Sequence, residues 1–228
     1  MTAYTVPPLV GFVINISLAV LVLWRYHRSF MHRIFALFLI FMGFWGFTIF
    51  GMRSSPDLEH AFLWEKAVLA IFPITIVLFY HFVSLFTKAR FKRWQLPVVY
   101  LCMLSFVAIA PTNLLIKGMR AMWYGYGFVP GTAYLPYTFI CYGICTLALV
   151  KLIKAYRDPE LAINKNRYAY VIAGIVCSFL GVTGDILAAR GMHIYPMGIP
   201  GNIAFALLTT AAILKYQLLD IHIAIRRG

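Results

Sequence analysis

Residues 34–52 read IFALFLIFMGFWGFTIFGM, nineteen positions with no charge and no proline. As a helix this stretch rises about 28 Å, close to the roughly 30 Å of hydrocarbon in a bilayer. It is apolar on every side, so apolar matter has to surround it on every side. The whole chain points to the same surroundings. Of its 228 residues, 62% are hydrophobic and 12% charged, whereas soluble domains carry about 25% charge. One soluble core cannot hold that much apolar side chain, and the excess must face lipid.

Placing helices of about 20 apolar residues between the charges gives six further spans, near residues 6–24, 61–87, 94–110, 133–150, 168–189 and 196–216. Pro7 and Pro8 fall in a first turn, where proline is tolerated. The uncharged run 121–150 is too long for one span. Its aromatic and glycine-rich beginning, Trp123 to Gly131, is read as part of an ordered extracellular loop over 112–132. The expected fold is an all-α integral membrane protein, a seven-transmembrane-helix bundle forming a single domain over 1–228.

The net charge of +13 suggests nucleic acid at first sight, but the basic residues form short clusters between uncharged runs, as membrane topogenesis requires. Fifteen of the twenty fall on one side: Arg25, Arg28, Arg33, Lys88, Arg90, Lys92, Arg93, Lys151, Lys154, Arg157, Lys165, Arg167, Lys215, Arg226 and Arg227. Arg53, Lys66, Lys117, Arg120 and Arg190 fall on the other. The positive-inside rule makes the first side cytoplasmic, with the N-terminus outside and the C-terminus in the cytoplasm. The stretch from Met1 to Trp24 has no charge, so the basic region of a cleavable signal is missing and the first helix is read as retained. Cys102, Cys141, Cys145 and Cys177 all lie in apolar runs and are read as small buried side chains.

Catalytic and cofactor chemistry finds no support. There is no His-Glu-x-x-His and no Gly-x-Ser-x-Gly. Only His81 lies well inside a span, where a hydrogen bond to a neighbouring helix is the simpler reading than haem ligation. Lys215 sits at a helix end, unlike a retinal lysine, and can snorkel to headgroups. No enzyme activity, cofactor or metal is expected of the chain.

What remains is one-sided. Asp185, Asn202 and Glu65 should lie near the outer surface, with Trp45 and Trp64 in outer helix halves and Trp123 and Tyr126 in the loop. An aromatic belt would also put Trp and Tyr there, and Asp185 could simply pair with Arg190. The functional alternative is an outward-facing pocket of mostly apolar walls with a few polar groups. Gly174, Ser178 and Gly181 share one helix face with Asp185, and small residues at that spacing let helix backbones approach closely. Asp185 is therefore expected to face the bundle.

Several stretches, taken in order, resemble the N-terminal seven-helix membrane module of bacterial sensor histidine kinases. They are Phe72-Pro73 with Phe79-Tyr-His-Phe82, Pro130-Gly131 with Tyr134, Asn166-Arg167 with Tyr170, Tyr195-Pro196 with Gly198, and the closing run Ala212-Ile-Leu-Lys-Tyr-Gln-Leu-Leu-Asp-Ile221. The resemblance implies a multi-pass sensor of the bacterial cytoplasmic membrane that belongs to a two-component system. It would bind an unknown small or lipophilic ligand, extracytoplasmic or derived from membrane lipid. Its seventh helix would pass the signal through Leu218, Asp220 and Ile221 to a cytoplasmic output in cis, with a homodimer as the working form. The chain looks like a module cut from a longer one, without its output domain. A small-molecule transporter or permease subunit is the alternative, weakened by a midplane almost free of charge.

Overall fold

The computed structural model describes residues 4–26, 28–87, 94–158, 165–189 and 192–226, with side chains described apart from those of 189 and 215–226. Seven helices and one hairpin follow in the order α1 (Val6–Tyr26), α2 (Phe30–Arg53), α3 (Leu58–Phe86), α4 (Gln95–Ile109), β1 (Ile116–Met122), β2 (Gly125–Pro130), α5 (Tyr134–Arg157), α6 (Lys165–Ala189) and α7 (Gly198–Arg226). Helices α1, α2, α3, α5 and α6 are long and apolar enough to cross a membrane. Helix α4 has 15 residues and α7 an apolar stretch of Gly198–Leu214, both shorter.

Six helices close a ring, each packed on the next in the order α1, α2, α3, α5, α6, α7 and back to α1. Helix α4 lies outside, against α3 and, through Phe106 on Tyr137, against α5. The core runs through the ring with Phe35, Leu39, Phe82, Val83, Leu152, Val171 and Ile213 almost fully buried. Outward faces stay apolar: Leu101, Phe139 and Leu180 are among the most exposed side chains. Water would leave them a liability, and hydrocarbon makes them ordinary.

Every helix but α4 overruns, at one end or both, the span read from hydropathy. That reading stops at the first charge, whereas a lysine need not end a helix. Lys151 shows why. Its Nζ turns inward and donates to Tyr80 Oη at 2.8 Å and Ser84 Oγ at 3.2 Å, bolting α5 to α3. Helix α3 also runs through Pro73, whose missing N–H and bulky ring weaken one turn. His81 Nδ1 meets Tyr100 Oη at 2.9 Å, tying α3 to α4. Asp57 caps α3 by accepting the His60 backbone N–H at 2.9 Å, a bond that holds this exposed carboxyl below its ordinary range.

The stretch read as a loop is a hairpin. β1 and β2 pair antiparallel from Met122↔Gly125 to Ile116↔Pro130, around a turn at Trp123 and Tyr124. Gly125 has φ +129°, a conformation that side-chain-bearing residues rarely take. Two strands alone are marginal in water, and this pair is held by the bundle end. Tyr126 Oη donates to Ser55 O at 3.0 Å, and Lys66 Nζ donates to Asn113 Oδ1 at 3.1 Å just before β1. The Trp123 ring packs on Tyr4 and His193.

α6 and α7 make the tightest pair. A Cβ at Gly201 would stand 2.6 Å from Cys177 O, and one at Gly181 would stand 2.5 Å from Met197 O. Backbones this close are what the small-residue face of α6 allows.

Candidate ligand site

A cavity of about 80 Å³ lies inside the ring, walled by α2, α3, α5, α6 and α7. Its base, away from the hairpin, is a cluster of three rings. Phe205 meets Phe38 edge-on at 5.5 Å and Phe79 at 5.6 Å. Toward the hairpin it is covered by Phe72, which touches Trp45 at 6.1 Å and Tyr137 at 6.4 Å. Its polar groups are few: Thr75, Tyr142, Ser178 and Asn202, with the thiols of Cys141 and Cys145. Both thiols are free.

The cavity sits where it does for a local reason. Pro73 interrupts α3 beside it, and Thr75 Oγ1 donates to Ile71 O at 3.1 Å in the loosened turn. Opposite, the glycine contacts draw α6 and α7 together. This brings Asn202 Oδ1 within 2.8 Å of Ser178 Oγ, which donates to it.

Of the residues expected to form an outer pocket, only Asn202 lines this cavity. Asp185 lies about a turn further out than Asn202. Its Oδ1 accepts the Gly198 N–H at 2.8 Å, so a carboxylate caps the start of α7. A Cβ at Gly198 would run into the Asp185 carboxylate. Arg190, the other partner considered for Asp185, lies outside the described residues. Trp45 is buried against Phe72, and Trp64 lies flat over Gly51 of α2 with Phe47 at its edge. Trp123 is 39% exposed on the hairpin turn, and Tyr126 is tied to Ser55. The side chains of Leu218, Asp220 and Ile221 lie outside the described residues, although the α7 backbone is helical through them.

Above the aromatic cover sits a second, charged group that the sequence did not assemble. Glu65 is only 5% exposed and makes no hydrogen bond or ion pair among the described residues. Arg53 is near enough for its charge to act on both Glu65 and Asp185. Its Nη1 donates to Tyr4 O at 2.8 Å, while its Nε is buried without a hydrogen-bond partner. Arg53 had counted only toward topology. A lone base at the end of α2, on the side otherwise poor in bases, was the signal for it.

No group of three or more His, Cys, Asp or Glu that could hold a metal ion occurs among the described residues. A bundle of apolar helices, five of them long enough to cross a membrane, around a mostly apolar internal cavity defines a membrane helical bundle. The chain belongs to the family described as the N-terminal 7TM region of histidine kinases, which matches residues 7–222. It is thus a membrane sensory module of histidine kinases, a family that implies a kinase output in cis. No curated protein matches the chain.

Proposed function

We propose that the chain binds a small molecule, extracytoplasmic or membrane-derived, in the cavity and passes the event to the kinase through α7. One observation carries this reading: α7 itself supplies Asn202 and Phe205 to the cavity wall before running on to Arg226. A ligand there touches the output element directly, with no relay between. Asp185 is assigned the supporting part of holding the start of α7 in place. Glu65, Trp45, Trp64, Trp123 and Tyr126 form the outer frame around it.

A fusion of the chain to a reporter kinase tests this. Phe205→Trp, which fills the cavity, should shift basal output by more than about fivefold and abolish any ligand response. Leu207→Trp, on an exposed part of α7, should leave both within about twofold of wild type. Equal behaviour of the two variants would remove the cavity from signalling. Saturable substrate accumulation in sealed vesicles would favour a transporter instead.

The orientation is part of the same proposal, supported by the fifteen-to-five division of basic residues. Cysteines placed at Asp57 or Lys117, both exposed at the hairpin end, should be labelled from outside intact cells. Cysteines at Lys92 or Glu160, which lie outside the described residues, should not. The reverse pattern would put the hairpin in the cytoplasm.

A further inference from the structure

We infer that the cavity takes an uncharged apolar molecule bearing a hydrogen-bond acceptor such as a carbonyl oxygen, admitted from the bilayer between α5 and α6. This rests on the sensory reading and names its ligand class.

The lining argues first against charge. No Asp, Glu, Lys, Arg or His faces the cavity among the described residues. The aromatic cover of Trp45, Phe72 and Tyr137 separates it from Glu65 and Arg53. A charged ligand group would lose its water there and find no counterion.

The polar atoms then specify an acceptor. The Thr75 and Ser178 hydroxyls already donate, to Ile71 O and Asn202 Oδ1. Besides the weakly donating thiols, two donors are left among the described residues. Asn202 is 7% exposed, and its Nδ2 has no hydrogen-bond partner among the described residues. Tyr142 Oη is buried and likewise has none. A buried donor left unmade costs about 1–3 kcal/mol. A carbonyl within the cavity relieves that cost, whereas an alkane of the same length leaves it standing.

The way in follows from how each side is closed. Toward the cytoplasm stand Phe38, Phe79 and Phe205, and toward the hairpin the aromatic cover. Between α5 and α6 there is, among the described residues, one ring pair, Tyr142 stacked on Phe179 with centroids 5.9 Å apart at 17°. Both rings are half-buried, and the neighbouring Phe139 and Leu180 are 75% and 68% exposed, on the surface that meets hydrocarbon. Turning this one pair opens the cavity to lipid and places the Tyr142 hydroxyl at the threshold.

The test uses the chain in lipid vesicles with Cys102→Ala and Cys177→Ala, leaving the cavity thiols Cys141 and Cys145. Alkylation by N-ethylmaleimide is followed with methyl octyl ketone, decane or decanoate added. The ketone should slow alkylation about tenfold and raise the melting temperature, and decane and decanoate should change the rate less than about twofold. Tyr142→Phe should weaken the ketone effect several-fold. No protection by the ketone, or equal protection by decane, would overturn the inference. So would thiols blocked in vesicles without additive but freed in detergent, since bilayer chains would then fill the site. A fusion that answers to Phe205→Trp while the ketone protects nothing removes the ligand class and leaves the sensory reading standing. Protection with a silent fusion supports the site and removes the sensory reading.

Discussion

Gly201→Leu should leave little folded protein. The first added carbon would stand 2.6 Å from Cys177 O and 3.2 Å from Ser178 Cα, and both are backbone atoms that cannot swing aside. Overpacking of a deformable core costs about 1–3 kcal/mol, and a collision of two backbones exceeds that range. Against a total stability of roughly 5–15 kcal/mol, a loss above about 4 kcal/mol empties much of the native state. Gly201→Ala should already cost about 2 kcal/mol. Gly143→Ala is the matched control, because nothing lies within 4 Å of its added carbon. It should melt within about 0.5 kcal/mol of wild type, or slightly above, as alanine favours helix. The fraction that stays monodisperse in detergent after graded heating reads all three. A Gly201→Leu protein as heat-stable as Gly143→Ala would mean that α6 and α7 are not packed backbone to backbone.

Glu65→Gln should have the opposite sign and raise stability. A carboxylate that is 95% covered and lacks any hydrogen bond among the described residues carries a burial cost that the nearby Arg53 charge only partly offsets. The amide keeps its shape and removes the charge, a gain of roughly 1–3 kcal/mol. Arg53 retains Asp185 as an opposite charge within reach. Gln therefore need not strand the guanidinium. Thermal unfolding of the purified chain at neutral pH reads the change. A large fall in melting temperature would show that Glu65 holds a structural partner, and would place that partner outside the described residues.

How far the sequence led depended on which physical signal each feature leaves. The helices were legible because lipid demands long uncharged runs. Even so, α5 runs past position 150, where its span was ended, since a charge count cannot show that Lys151 folds back onto Tyr80. The small face of α6 was legible through Gly174, Ser178 and Gly181, and those residues do pack against α7. The hairpin was not. Its strands mix glycine, aromatics and Arg120 without clean alternation, because it lies across the bundle end instead of burying one face in a sheet. The site was only half legible. Polar residues inside an apolar chain drew attention to Glu65, Asp185 and Asn202, yet sequence depth alone put them together. The structure gives Asn202 to the cavity wall and leaves both acids outside the lining, Asp185 capping α7 one turn further out and Glu65 near Arg53. Much of the cavity wall, Phe38 and Phe205 among it, left no mark in a chain where phenylalanine is everywhere.

The carboxylate cap on Gly198 has a mechanical side. A helix of 29 residues is a rod of about 43 Å. With one end pinned at Gly198, it becomes a lever whose load is applied near the fulcrum. Phe205 is seven residues from the pin and Arg226 is twenty-eight. A sideways push at Phe205 therefore emerges about fourfold larger at the far end, provided the rod stays straight. If the cavity binds as proposed, a quarter-ångström difference between two occupants would become about one ångström at Arg226.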